Sequence, residues 1–464
     1  MGKIKDFFTD KRFFKTVFSI ALPMVIQNGV TNFVNVLDNI MVGRISSEAT
    51  SGVAIVNQFM FVFYLITFGA VSAAGIFTAQ YHGKGDPENV RNTFRAKIII
   101  CSVASVVGIV LFIFAGDFFI NTFLTETDSG IDPALTFELG KNYLTVMLFG
   151  ILPYSLTQAY ASTLRETDRA IPPMAASSAA VAINLILNYL LIFGKLGFPE
   201  LGVTGAAVAT VVSRYAEFLI LFIWVSATKK KSPFFKGAFK SLRVPGTLFR
   251  RIVKMGFPIM ANEFFWALAV TMRNQCYSTR GLEAVTAISI SSTFTNLFNV
   301  VYISLGTAVA VIIGNLLGAG EIERAKQTDK KLIAFSIMCT VTVSVILASL
   351  SSVFPSFYNT TDGVSSLTTY MLIVYALAMP FDAYANCAYF TLRSGGKIFT
   401  TVLFDSVFMW AVVMPVCFIL SRLTNVNIHI LFAVGQGTDM LKALLGFIIL
   451  RRGTWAVRLV NDQT

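Results

Sequence analysis

PMVIQNGVTNFVNVLDNIMVGR, residues 23–44, decides the fold, because it sets an aspartate inside a run otherwise long and apolar enough to cross a membrane. Wound as an α-helix at about 100° per residue, the run places Asn28, Thr31, Asn32, Asn35, Asp38 and Asn39 within an arc of roughly 120°. Lipid does not accept such a face, since an ionised Asp in hydrocarbon costs at least about 2.5–3.5 kcal/mol. The stripe must turn toward a protein interior or a water-filled cavity, and Asp38 becomes the first functional candidate. The plainer alternative leaves Asp38 solvated by headgroups, because at about 1.5 Å per residue it lies only a turn or so from the helix end.

Working outward, the same character repeats along the chain. Of 464 residues 55% are hydrophobic and only 13% charged. Apolar runs of about 20 residues, the length that spans about 30 Å of hydrocarbon, alternate with short polar loops. An all-α polytopic membrane protein follows; a β-barrel would show alternating segments of about ten residues instead. The expected spans are roughly 15–42, 52–80, 97–121, 138–163, 173–194, 203–227, 251–278, 285–316, 331–355, 366–392, 399–421 and 428–450. Cys101, Cys276, Cys339, Cys387 and Cys417 fall inside these runs with no CxxC pair, which suits small buried hydrophobes and gives no metal site or disulfide framework. His82 and His429 are far apart in sequence and lie at or near loops.

The net charge of +12 is explained by position, not by nucleic acid. With the N-terminus inside, about four-fifths of the 37 lysines and arginines gather on one side, from Lys3 and Lys5 through the stretch Lys229 to Lys254 to Arg458. Both termini are thus expected in the cytoplasm of a multi-pass plasma (inner) membrane protein, with the basic side meeting anionic lipid. The basic start runs into a full-length span and reads as a retained first helix, not a cleaved signal.

The longest charged connection, between Lys229 and Lys254, divides the spans six and six. Sliding the chain on itself by 235 residues matches Pro23 to Pro258, Glu48-Ala49 to Glu283-Ala284, Ala73 to Ala308, and both Gly83 and Gly85 to Gly318 and Gly320, with Asp86 over Glu321. An even number of spans per repeat makes both halves enter from the same side, related by a pseudo-two-fold axis along the membrane normal. The expected organisation is an N-lobe (1–228, helices one to six), a cytoplasmic inter-lobe loop (229–250) and a C-lobe (251–464, helices seven to twelve). The turns GKGD (83–86) and GAGE (318–321) are expected as corresponding corners whose glycines take positive φ.

Further polar residues sit at helical spacing: Ser289, Ser292, Asn296 and Asn299 on the eighth span, Asn184 and Asn188 on the fifth, and on the seventh Asn262 with Arg273 and Glu263 with Asn274. Single Ser and Asn residues suit interhelical hydrogen bonds of roughly 0.6–2 kcal/mol, whereas whole stripes containing a charge suit a cavity. Intramembrane charges are few. Arg214 with Glu217 and Asp439 with Lys442 can pair at i, i+3, and Asp405 lies one or two turns into its helix from the cytoplasmic side, near Arg393 and Lys397 in sequence. Asp38, Glu263 and Asp382 have no such neighbour in sequence. Asp382 follows Pro380, where the lost hydrogen bond can admit water. A carboxylate so placed can take up a proton or small cation and release it when the cavity changes sides.

These residues resemble the multidrug and toxic compound extrusion (MATE) family, bacterial type, over nearly the whole chain. The resemblance rests on LDNIMVGR (37–44), AQYHGKGD (79–86), INLILNYLLIFG (183–194), LGVTGAAVATVVSR (201–214), PIMANEFFWAL (258–268) and TLRSGG (391–396), in this order. It implies two six-helix lobes about a central cavity and export of cationic or amphipathic organic compounds against inward flow of H⁺ or Na⁺. Asp38 matches the family's first-helix acid, Asn184 its fifth-helix Asn and Thr210 its sixth-helix Thr. Where the DinF-like pattern has Asn-x-x-x-Asp, this chain has Asn184-x-x-x-Asn188. Asp382 matches the tenth-helix acid of NorM-like members and Glu263 resembles their seventh-helix Glu. A Na⁺ could thus be held at Asp38, Asn184 and Thr210 or at Glu263 and Asp382, with Asn32, Asn35, Arg273 and Asn296 lining the cavity.

The expected function is a multidrug efflux antiporter working by alternating access. It is expected to need no cofactor beyond the coupling ion, H⁺ or Na⁺, and to act as a monomer in the bilayer without nucleic acid. The alternative is a lipid-linked oligosaccharide flippase of the related superfamily, which needs a cationic cavity for pyrophosphate; only Arg214 and Arg273 are candidates for it. An enzyme is not expected, because no nucleophile–His arrangement, HExxH or P-loop is present. A channel lacks a selectivity-filter loop.

Overall fold

The computed structural model describes residues 10–124, 132–228, 232–358 and 360–460. Lys3, Lys5, residues 229–231 and both chain ends, which enter the orientation argument and the start of the inter-lobe loop, lie outside the described residues.

Every regular element among the described residues is helical. Twelve long helices follow in order: α1 (Lys11–Gly43), α2 (Ser47–Lys84), α3 (Pro87–Phe123), α4 (Pro133–Glu166, with a tight turn at Leu148–Gly150), α5 (Ile171–Phe193), α6 (Gly202–Ala227), α7 (Gly246–Ser278), α8 (Leu282–Gly318), α9 (Ile322–Leu350), α10 (Asp362–Ser394), α11 (Ile398–Arg422) and α12 (Ile428–Arg451). Eleven are apolar enough by composition to cross a membrane. α7 is long enough at 33 residues, but Pro258, Asn262 and Glu263 lower the apolar character of its central stretch. Their ends are written in the sequence. Asp86 caps α3 by accepting from the Asn89 N–H at 3.0 Å, with Pro87 in the first turn, and Asp132 with Pro133 repeats the device at α4. Asp10 accepts from the Phe13 N–H at 3.1 Å and pairs with Lys331 at 2.7 Å, which holds its carboxyl below the usual carboxylate range.

The two glycine corners need a correction. Gly85 and Gly320 have φ of +77° and +81°, as a turn requires, but Gly83 and Gly318 are helical members of α2 and α8. Their missing side chains serve packing instead.

The chain divides into two compact units, one of residues 26–78 and 86–256, the other of 1–25, 79–85 and 257–464. The first is built around Val53, Met60, Phe63, Ile120, Met147 and Ile151, the second around Ala269, Tyr277, Ile290, Met371, Met409 and Leu431. Outward faces such as Val107, Phe114 and Phe118 on α3, 60%, 85% and 69% exposed, present the apolar surface that lipid covers.

The inter-lobe connection is docked, not merely solvated. Residues 233–235 and 238–240 form short tight turns, and Phe234, Phe235 and Ala238 are buried. Arg95 on α3 donates to the carbonyls of Ala238 at 2.8 Å and Gly237 at 3.0 Å, while Arg91 donates to Phe234 at 3.2 Å. Arg95→Ala is expected to free these carbonyls and weaken docking by about 1.5 kcal/mol, which corresponds to roughly tenfold faster tryptic cleavage at Lys236, Lys240 or Arg243. Unchanged cleavage would show that Phe235 packing alone holds the segment.

One helix departs from α geometry. α11 contains two successive π-helical stretches, Leu403–Val407 and Met409–Val413. Pro415 lacks the N–H that would reach Ala411, so the ladder is already broken there.

Candidate functional site

The stripe on α1 finds its partners on α5 and α6. Asn184 and Asn188 lie one turn apart on the same face of α5, both buried. The Asn188 amide donates to Asp38 Oδ1 at 2.6 Å and to Asn184 Oδ1 at 3.2 Å. The Asn184 amide reaches the Thr210 hydroxyl at 3.4 Å; turned so that its nitrogen faces Asp38, it lies 3.1 and 3.2 Å from the two carboxylate oxygens. Gly205 makes this closeness feasible: a β-carbon there would lie 2.6 Å from the Leu191 carbonyl oxygen, so only glycine lets α6 approach α5 and bring Thr210 alongside. Asp38, Asn184, Asn188 and Thr210, named from sequence, thus converge.

Two features of this cluster bear on its chemistry. No Lys or Arg among the described residues lies within ion-pair distance of Asp38. The Asn188 Oδ1 is buried without a hydrogen-bond partner. A carboxylate, an amide oxygen and a hydroxyl form an all-oxygen donor set, which suits a proton or a hard monovalent cation and not a transition metal. Among the described residues no group of three His, Cys, Asp or Glu side chains could hold a metal ion. Farther along the stripe, Asn32 is half-buried and Asn35 exposed.

Arg214 does not pair with Glu217. It reaches instead to the Tyr64 hydroxyl and lies 5.0 and 4.9 Å from the ring centres of Tyr64 and Tyr154. Glu217 is turned to Ser177 on α5. Tyr64 and Tyr154 lie side by side with ring centres 4.5 Å apart, and the guanidinium rests against the pair in place of a local i, i+3 contact.

In the other unit the charges form a network that the local pairings misassign. Lys442 bonds Asp405 at 2.6 Å, not Asp439, and Asn262 donates to the second Asp405 oxygen at 2.8 Å. The Asp405 π turn wraps round Asn262, which accepts from the Ser406 N–H at 3.2 Å and the Ser406 hydroxyl at 2.7 Å. Asp405, about two turns into α11, is thus the shared acceptor between α7, α11 and α12. Glu263 is also partnered: it accepts from the Tyr389 hydroxyl at 2.6 Å and lies 3.7 Å from Arg393. The carboxyl groups of Asp382 and Asp439 meet each other, with Arg273 nearby. Glu263 and Asp382 thus each have their own partners, and four carboxyl groups share three basic side chains. Asn296 sits exposed on α8, while Asn299 accepts from Tyr375 at 2.9 Å. Sequence spacing missed Tyr64, Tyr389 and Arg393 as partners; Pro415 was the one signal that α11 deviates near Asp405.

Twelve long helices in a duplicated chain, with polar side chains gathered between them, define a polytopic transporter. The MatE family profile matches residues 23–190 and 258–419, and the chain belongs to this family of transporters. A probable multidrug resistance protein NorM of Thermotoga maritima is 25% identical over 456 residues, covering 96% of this chain and 94% of that protein. A probable multidrug resistance protein YoeA of Bacillus subtilis is 24% identical over 410 residues, covering 88% and 87%. Among solved structures, the outward-facing conformation of a multidrug resistance MATE family transporter superposes with a TM-score of 0.85 at 18% identity, covering 95% and 96% of the two chains. The Vibrio cholerae MATE transporter in its bent form gives 0.82 at 15%, covering 95% and 97%. At these identities the solved structures speak for the fold.

Proposed function

We propose that this protein is a multidrug efflux antiporter of the plasma membrane that exports cationic or amphipathic organic compounds in exchange for H⁺ or Na⁺. Its lobes are residues 1–228 and 251–464, joined by 229–250, with both termini in the cytoplasm. The observation that carries this reading is the half-buried Asp38 carboxylate, set against Asn184, Asn188 and Thr210 with no basic side chain among the described residues within ion-pair distance. An intramembrane charge without a counter-charge is costly, and a proton or Na⁺ bound from outside removes that cost. Coupling then needs only that ion and compound bind the two access states differently. Asp382 with Asp439, and Glu263 with Arg393, supply the second lobe's share.

The names carried by the relatives support the multidrug substrate class. Arg214 is already engaged by Tyr64 and Tyr154, which counts against its use as one of the two cations of the flippase alternative. The test is efflux of a fluorescent organic cation from energised vesicles, with the proton and sodium gradients collapsed in turn by ionophores. Efflux should stop with one of the two collapses; export that survives both would overturn the antiporter reading.

A further inference from the structure

Arg91 and Arg95 on α3 direct guanidinium donors at backbone carbonyls of the inter-lobe connection. Beyond the bonds already described, Arg95 reaches the Arg243 carbonyl at 3.4 Å and Arg91 the Pro233 carbonyl at 3.4 Å. The Phe235 ring completes the docking, 4.9 Å from Phe94 on α3 and 6.0 Å from Tyr160 on α4, centre to centre. Gly237, at φ +75°, then makes the corner between the two tight turns. Around this corner the chain faces outward. Phe239 and Leu242 are 57% and 51% exposed, and Lys236, Lys240 and Arg243, close to them in sequence, are exposed as well. None of these three cations forms an ion pair among the described residues. The surrounding sequence supplies no acid either, since no Asp or Glu stands between Glu217 and Glu263.

The depth of the segment follows from its partner helix. α3 starts at Pro87, so Arg95 lies only about 12 Å along the axis. From residue 98 to 116 the helix carries no charge, and its exposed Val103 and Val106 belong to the lipid-facing surface. Phe239, with its ring centre 6.1 Å from that of Phe94, is held level with the last polar turn before this apolar run. That level is the headgroup zone, where apolar side chains flanked by cations lie in the interface.

We propose that residues 236–243 are a membrane anchor that binds anionic phospholipid. Phe239 and Leu242 enter the edge of the acyl layer, while Lys236, Lys240 and Arg243 meet lipid phosphates. A surface both basic and apolar, pinned by Arg91 and Arg95 at headgroup depth, matches a negatively charged leaflet better than a soluble acidic protein. The anchor needs only the membrane embedding of the fold and no part of the antiport reading.

Phe239→Trp in liposomes tests it, with the signal of the four native tryptophans measured in the unaltered protein and subtracted. Phosphatidylglycerol with brominated acyl chains, a minor component in phosphatidylcholine vesicles, should quench the added indole. The quenching should be at least about fivefold greater than that by brominated phosphatidylcholine at the same fraction, the factor that one basic side chain at an anionic surface represents. Adding Lys236→Gln, Lys240→Gln and Arg243→Gln together should make the two lipids quench alike. The unfolding temperature in detergent should stay unchanged, because the carbonyls held by Arg91 and Arg95 are kept. Glycerol phosphate in solution should not relieve the quenching. Absence of quenching by either lipid, equal quenching by both in Phe239→Trp, relief by glycerol phosphate, or a preference that survives loss of all three cations would each overturn the anchor. Efflux is not read, so a failure of antiport leaves every one of these outcomes unchanged.

Discussion

Asp38→Asn is expected to cut gradient-driven efflux by about 5- to 150-fold, the range that a coupling free energy of about 1–3 kcal/mol represents. The substitution keeps the shape of the side chain and its place beside Asn188, 2.6 Å away, but removes the charge that binds the ion. With no basic side chain near, no ion pair is broken, and one amide oxygen remains to accept from Asn188, so folding and compound binding should survive. Equilibrium binding of the fluorescent cation in detergent, beside efflux in energised vesicles, separates the two effects. Loss of both together would make Asp38 a structural residue; efflux undiminished would move coupling to Asp382, Asp439 or Glu263.

The largest expected effect on stability belongs to Lys442→Met. The ammonium bonds Asp405 at 2.6 Å, where Asn262 supplies the other hydrogen bond. Removing one member of a buried ion pair leaves the other uncompensated, at about 3–5 kcal/mol. Thermal unfolding in detergent should fall markedly in Lys442→Met. The double variant Lys442→Met with Asp405→Asn should recover most of the loss, because neither charge then remains buried alone. Additive losses in the double variant would show that each residue stabilises its helix separately.

The contrast between the two units explains what the sequence made legible. Helical periodicity exposed the α1 stripe and the Asn184/Asn188 pair, because residues one turn apart share a face whatever surrounds the helix. The duplication announced itself through glycines and a proline whose backbone roles fix their identity. Thr210 came only through resemblance, since a lone threonine in GAAVAT carries no periodic signal. The charge pairings of the second unit were misread for a physical reason. An i, i+3 pair on one helix contributes only about 0.2–0.5 kcal/mol, too little to hold Lys442 against the Asp405 carboxylate on a facing helix, or Arg214 against two tyrosine rings. The π turn that aims Asp405 at Asn262 is likewise invisible to a 3.6-residue pattern. The packing role of Gly83 and Gly318 was hidden because a glycine at a corner reads first as a turn residue, and only the facing helix reveals the second use.

The most direct measurement is the ion movement itself. Purified protein in liposomes carrying a pH-sensitive or a Na⁺-sensitive dye inside is given a gradient of organic cation alone. Outward movement of the compound should draw protons or Na⁺ inward against no ion gradient, since linkage is reciprocal. In Asp38→Asn the ion signal should vanish. Compound movement with no ion signal in the unaltered protein, or an ion signal equal in Asp38→Asn, would contradict the assignment of coupling to the Asp38 cluster.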